Sequence, residues 1–360
     1  MFWLLFFCTV LCVIFCVVPL SRHPHWIVRA MDFPRLQIAL FLIFLVIADV
    51  VFLDFNLGSS WTLLLTSMVC LSWQLWWILP YTPLWKKEVK TARDHRPDSE
   101  VSILTANVLT PNRNAEALIE LVREHKPDVL VTLESDQWWQ DQLVELSDEM
   151  GYRIKCPLDN LYGMHVFSRF PLEDPTISFL IEEDVPSIHA LLVLPTGDKI
   201  RVHFLHPAPP SPTENEESTE RDAELVIVGR SVAESDLPII VTGDLNDVAW
   251  SATTRLFRKI SGLLDPRVGR GMFNTFHVDY FFLRWPLDHL FHSEHFTLKS
   301  IQRLPSIGSD HFSLLTRLVY NPAYGSNQEG LEADVADRQW AQDINQQQES
   351  NKNDVPSFRD

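Results

Sequence analysis

"PIIVTGDLND", residues 238–247, runs through branched apolar residues and stops on a glycine, an acid and an amide. Ile239, Ile240 and Val241 read as a buried strand, with Asp244 and Asn246 just past its end. A single acid at a strand end is more often a turn or a helix cap than a functional group. Here the same arrangement recurs. Asn107 follows "SILTA", Glu134 ends "DVLVTL" and His206 ends "IRVHFL". Asp288 opens "DHLF", and Asp310 and His311 stand directly before the last apolar run. Strand ends on one edge of a layered sheet converge, and loops held there by a rigid scaffold commonly carry sites.

Working outward from that strand, apolar patterns alternate between short strands and helices. "SILTANVL" predicts a strand, residues 113–126 a helix closed by "HKP", and "DVLVTLE" a buried strand. Residues 136–149 predict a helix, and strands follow at about 164–168, 177–181, 188–194 and 200–205. A polar helix is expected over about 216–235 and another from Ser251. Further strands are expected around 276–283, 287–292, 295–301 and 312–319. Many strands with few helices predict two packed sheets flanked by helices, an α+β or α/β layered domain over residues 101–320. Residues 81–100 read as a polar linker. The acidic, polar tail 321–360 has few large apolar residues and is expected to be disordered.

The front of the chain differs. Three apolar stretches, about residues 2–20, 36–54 and 59–80, each approach the ~20 residues that cross a bilayer as a helix. They predict a three-helix transmembrane anchor over 1–80. The first stretch has no positive leader and no small-residue cleavage site, so it is expected to be retained. Cys8, Cys12 and Cys16 share one helical face, a packing stripe rather than a metal site. The first loop carries Arg22, Arg29 and Arg35, and the segment after the third stretch carries Lys86, Lys87, Lys90, Arg93 and Arg96. The intervening loop "FNLGSS" has no Lys or Arg. The positive-inside rule therefore predicts an integral protein of bacterial inner-membrane type with its soluble domain in the cytoplasm, the alternative being the periplasmic or extracellular side. A C-terminal reporter that works only outside the cytoplasm should stay silent; activity from it would reverse this orientation.

The strand-end residues suit metal-assisted attack on a phosphoester. A hard cation takes oxygen ligands, and Mg²⁺ typically uses one or two carboxylates, with water and substrate phosphate completing its shell. Glu134 and Asp310 can supply those carboxylates, and the ion would polarise a phosphoryl oxygen. Asp244 can take a proton from the attacking water, with Asn246 fixing its position. His311 paired with Asp288 can meet phosphate as imidazolium.

Taken in order, "TANVL", "LVTLE", "FLHPAPP", "VTGDLND", "PLDHLF" and "IGSDHFSL" resemble the endonuclease/exonuclease/phosphatase superfamily, the DNase I-like fold, over about residues 100–320. "NTF" at 274–276 matches the same pattern. The resemblance implies an αββα four-layer sandwich with its site at one edge of the sheets. It implies a metal-dependent hydrolase using Mg²⁺, with Mn²⁺ as a substitute. Glu134 would bind the metal with Asp310 beside it, and Asn107 would orient phosphate. His206 would be an acid or a phosphate contact. Asp244 and Asn246 would handle the water, and Asp288 would hold His311 against the scissile phosphate. Leu109 stands where some members carry an acid, and His165 stands where relatives are apolar or small. His165 reads as a core histidine with a satisfied hydrogen bond, the alternative being one that reaches substrate. His203, His277, His289, His292 and His295 have no matched role, and Arg113 and Arg169 are within the range of residues that meet phosphate.

The family includes nucleases, sphingomyelinases, inositol-phosphate phosphatases and nucleotide-handling enzymes, so the fold leaves the substrate open: a lipid head group, a small phosphoester or nucleic acid. The net charge of −17 and the lack of a Lys/Arg run in 101–320 argue against a strong non-specific duplex binder. The apolar front favours a substrate in or near the bilayer, and no protein partner is evident. The alternatives are an endonuclease of the same fold and a non-catalytic tethered binding module. The intact set of acids, amides and histidines speaks against the latter.

Overall fold

The computed structural model describes residues 1–93 and 96–358. Its front is helical: α1 (Phe2–Val17), the short α2 (Trp26–Ala30), α3 (Arg35–Phe52) and α4 (Gly58–Ile78). With their terminal turns the three longer helices run 20, 18 and 24 residues, long and apolar enough to cross a membrane. Their outer faces expose Trp3, Phe44 and Val69, while Cys12, Cys16, Leu42 and Cys70 pack between them. The cysteine face is thus a packing stripe.

The rest of the chain builds two sheets. The first contains β1 (Glu100–Asn107), β2 (Val129–Leu133), β3 (Tyr152–Cys156) and β4 (Met164–Ser168), together with β10 (Phe296–Ser306) and β11 (Phe312–Tyr320). Their order is β10-β11-β1-β2-β4-β3. The second runs β5-β6-β7-β8-β9, with β5 Leu172–Ser178, β6 Ser187–Val193, β7 Lys199–Leu205, β8 Ile239–Asp244 and β9 Asp288–His292. The strands at the centre are apolar on both faces because both faces are covered. In β1, Val101 and Ile103 enter the core between the sheets, while Leu104 and Ala106 lie under α5 (Ala115–His125) and α6 (Gln137–Gln142). In β8, Ile240 faces the other sheet, while Ile239 and Val241 lie under α7 (Thr219–Ala233) and α8 (Ala252–Ser261). The result is a mixed α/β two-sheet sandwich of four layers. Asn114 caps α5 through Ala117 N, and Ser251 caps α8 through Thr254 N, which fixes both helix starts.

Several expectations need correction. The tail is not disordered where it is described. It forms α9 (Pro322–Gly325) and α10 (Val335–Gln347), the latter with an Asp334–Asp337 capping box. Ala341 and Ile344 of α10 are buried against Ala223, Val226 and Leu256. Too few apolar residues to fold alone are enough to cover an existing surface. The segment 81–100 is not a free linker either. Tyr81 and Val89 are buried, Glu88 pairs with Arg258, and residues 90–92 run beside β10 through Leu298. Residues 94 and 95 of that segment, and 359 and 360 of the tail, lie outside the described residues.

The strand expected at 276–283 is a loop in which Phe276 makes only isolated bridges to Trp285 and His311. Its apolar residues Tyr280, Phe281 and Phe282 stand exposed rather than packed. β3 escaped prediction because its alternation is carried by charged residues on an edge, Arg153 and Lys155. The polar helix α7 is largely buried: Arg29, from α2, pairs with its Asp222 at 2.9 Å.

Candidate active site

Topology gathers the predicted residues. β1 runs parallel to β2, and β7 runs parallel to β8, so their C-terminal ends share one edge. β9 and β11 are antiparallel to β8 and β1, so they begin at that same edge. Asn107, Glu134, His206 and Asp244 therefore leave strand ends where Asp288 and His311 enter. The two sheets touch behind the site through Thr105 Oγ1 and Thr242 Oγ1, 2.9 Å apart. Glu134 and Asn246 take left-handed backbone conformations, φ 56° and 51°. Such non-glycine positions are uncommon and costly, and they cluster at sites.

Asp244 and Asp288 are register partners on adjacent strands. Between their carboxylates sits His311, with Nδ1 2.8 Å from Asp288 Oδ2 and Nε2 3.5 Å from Asp244 Oδ2. Burial opposes charge on this ring, but the two carboxylates outweigh it and push its pKa up to about 10. His311 is thus an imidazolium at neutral pH. Burial in turn raises the Asp244 carboxyl, against the pull of His311. Asn107 Nδ2 donates to Glu134 Oε1 at 2.7 Å and lies 3.3 Å from Asp244 Oδ2, joining the two halves of the site. Asn246 reaches Asp244 through its backbone, N to Oδ1 2.9 Å, while its side-chain amide donates to Pro207 O. His206 is wholly buried and packs against Tyr162, ring centroids 5.3 Å apart. Burial holds its pKa down near 4, so it is neutral.

Glu134 is the residue that asks for a cation. Burial pushes its carboxyl up to about 7, and its Oε2 is buried with no partner. An oxygen of this kind, with Asp310 on the same cavity wall, fits a hard divalent ion. Asp244, Asp288 and His311 also bring three ligand-type atoms within 4.8 Å of one another. Both nitrogens of His311 face carboxylates there, and a protonated ring has no lone pair to give a metal. That trio reads as a hydrogen-bonded triad, and the Glu134 side as the ion's position.

Four other buried histidines have partners within the protein. His165 bonds Ser135 Oγ at 2.7 Å, His189 meets His203 at 2.6 Å, and His289 contacts Arg267 and the Asp247 carbonyl. Arg113 is held bidentate by Asp136 rather than aimed at the site. Sequence reasoning missed the cavity's walls. Tyr162 donates to Glu214 across the opening, and Trp26 and Phe33, from the segment before α3, also line it. No local signal marks those two, because they lie more than 70 residues before the first site residue.

Two sheets with acids, amides and a buried imidazolium on their shared edge define the DNase I-like class, whose members are generally hydrolases of phosphoester bonds. The chain belongs to the Endonuclease/Exonuclease/phosphatase family, whose model matches residues 104–311. Comparison with curated proteins finds no match. Among solved structures, the chain is similar to D. rerio TDP2 complexed with a single-strand DNA product, at 17% identity and TM-score 0.52, over 61% of this chain and 99% of that one. It is similar to the human Nocturnin catalytic domain with a bound sulfate anion, at 17% identity and TM-score 0.50, over 64% and 97%. A Bacteroides thetaiotaomicron endonuclease/exonuclease/phosphatase family protein gives 20% identity and TM-score 0.50, over 63% and 100%. At these identities the likeness is one of fold.

Proposed function

We propose that the protein is a membrane-anchored phosphoesterase that hydrolyses its substrate with a divalent cation, Mg²⁺ or in its place Mn²⁺. The observation that carries this reading is the buried Asp244–His311–Asp288 triad beside Glu134, whose Oε2 is unpartnered. Glu134 and Asp310 would hold the ion, which when bound would polarise a phosphoryl oxygen and balance charge on the leaving oxygen. Asp244 takes a proton from water onto its carboxylate, oriented by the Asn246 backbone N–H. The water oxygen bonds to phosphorus, the ester P–O bond breaks, and the departing alkoxide takes a proton from solvent water to leave as an alcohol, while Asp244 gives its acquired proton back to solvent. His311, charged and held by Asp288, steadies the negative phosphoryl oxygens as that exchange occurs. His206, neutral, serves as a hydrogen-bond partner of the phosphate rather than as its acid. Asn107 fixes Glu134 and Asp244 relative to each other.

The anchor reading rests on the three apolar helices. The loop between α1 and α3 packs on the catalytic domain, Trp26 N to Glu216 O and Ser218 N to Pro24 O, so both belong on one side of the bilayer. We assign that side to the cytoplasm. Arg29 and Arg35 are neutralised by Asp222 and Asp32, so the charge bias rests on Arg22 and the basic residues after α4.

The purified full chain should hydrolyse bis-p-nitrophenyl phosphate with Mg²⁺ and lose that activity in EDTA. Absence of any Mg²⁺-dependent turnover of this ester would defeat the reading. Nicking of plasmid DNA without turnover of the ester would favour an endonuclease instead.

A further inference from the structure

We infer that the site acts on a phosphoester that carries an apolar group and resides in the bilayer, entering past an aromatic tip, Phe281–Phe282, seated at the membrane surface. This rests on the phosphoesterase reading above and names its substrate class.

The cavity that reaches Glu134, Asp310 and His311 has a volume of about 610 Å³. Much of the remaining wall is Trp26, Phe33, Leu161, Leu283 and Trp285. A bare phosphate or a small polar ester would leave this wall wet and unused, whereas an apolar group beside the phosphate would bury it. The wall is built, not incidental. Trp26 N bonds Glu216 O at 3.0 Å, and Trp250 Nε1 bonds Asp32 O at 2.8 Å. Phe33 packs edge-on against Trp285, centroids 5.5 Å apart. Two of these five wall residues, Trp26 and Phe33, therefore come from the segment that joins two bilayer-length helices.

The tip lies where that segment enters the apolar layer. Gln37, in the first turn of α3, donates to the Phe282 carbonyl at 2.6 Å. Phe281 and Phe282 are 72% and 81% exposed, and Leu283 beside them lines the cavity. Large aromatics exposed at the end of a membrane-length helix suit the interface, where an apolar ring meets the headgroup region. The cavity is the size of small-molecule pockets. It can hold a headgroup and the adjoining part of an acyl chain while the rest stays in lipid.

Charge points away from a polynucleotide. Arg29 is the one lysine or arginine on the cavity wall among the described residues, and Ser218 and Asp222 occupy its guanidinium. Gripping several phosphates takes several free cations. A single phosphate needs only the cation site and His311.

The test reconstitutes the full chain in vesicles of dioleoyl phosphatidylcholine with Mg²⁺. The probes are dioleoyl phosphatidic acid and dioleoyl phosphatidylglycerol in the bilayer, their soluble dihexanoyl counterparts, a single-stranded oligonucleotide, and bis-p-nitrophenyl phosphate. We expect at least one dioleoyl ester to turn over about tenfold or more faster than its dihexanoyl counterpart. The double variant Phe281→Ser, Phe282→Ser should cut that long-to-short ratio about tenfold. Because both rings are exposed, this variant keeps the core intact. Trp26→Ala should lower the same ratio from the pocket side. Equal rates for long and short esters, a ratio unmoved by the double variant, or preference for the oligonucleotide would each overturn the inference. Turnover of bis-p-nitrophenyl phosphate alone would overturn it and leave the phosphoesterase reading standing. Turnover of none of these probes by the unmodified chain would remove both.

Discussion

Replacing His311 by alanine in the full chain is expected to lower kcat on bis-p-nitrophenyl phosphate by about 10³-fold, with a much smaller change in KM. The magnitude follows from what the ring does in place. It is a cation at neutral pH, buried and held by Asp288, and it needs little reorganisation when charge develops on the phosphoryl oxygens. It also offsets the repulsion between two acids that face each other across the β8–β9 register, Asp244 and Asp288. Without it those carboxylates share a buried space, and one of them takes up a proton. If Asp244 is the one protonated, it can no longer accept the proton of water, so a single substitution strikes both the charge and the base. Asp288→Asn is the companion variant. It keeps the ring but removes the partner that holds Nδ1, and its loss should be smaller and accompanied by a lowered pKa for His311, visible by NMR of the ring. A His311→Ala protein that keeps a tenth or more of the normal kcat would dismantle the assignment.

That triad shows what a sequence can carry and what it cannot. The strands were legible because a sheet covered on both faces needs uninterrupted apolar residues, as in "PIIVTG" and "DVLVTL". The gathering of the candidate site residues was legible because each stands directly at the end of such a run, and parallel pairing of β1 with β2 and β7 with β8 brings those ends together. What pattern reading missed depends on contacts distant in sequence. Tyr280, Phe281 and Phe282 looked like strand residues because apolarity was taken for burial, yet they are exposed. The tail looked unable to fold because it has few apolar residues, yet Ala341 and Ile344 need only one face and find α7 and α8 already formed. Arg29 looked like a topology signal. It is also a docking residue, paired with Asp222 on α7, nearly two hundred residues away. Trp26 and Phe33 carry no sign that they line the cavity, since only the docking of the front segment onto the domain puts them there.

The second large effect is expected at Gly243, which carries no functional atom. Substituting alanine there should lower stability by about 3 kcal/mol and abolish most activity, read as a fall in unfolding temperature and in kcat/KM together. Gly243 pairs with Leu205 of β7 on one side and His289 of β9 on the other, near the end of an interior strand of the second sheet. An added Cβ would stand 1.8 Å from the Leu205 carbonyl oxygen and 2.9 Å from its carbon. Both are backbone atoms, so no side chain can rotate aside. The glycine also holds φ +153°, which side-chain-bearing residues rarely adopt. Relief requires β7 and β8 to part, and the next residues on those strands are His206 and Asp244. The clash is therefore transmitted to two site residues at once, which is why function should fall along with stability. Gly151→Ala supplies the control: nothing lies within 4 Å of its added Cβ, so both readouts should stay at the level of the unmodified chain. If Gly243→Ala melts with the unmodified protein and keeps its activity, the close approach of β7 and β8 is not what aligns His206 with Asp244.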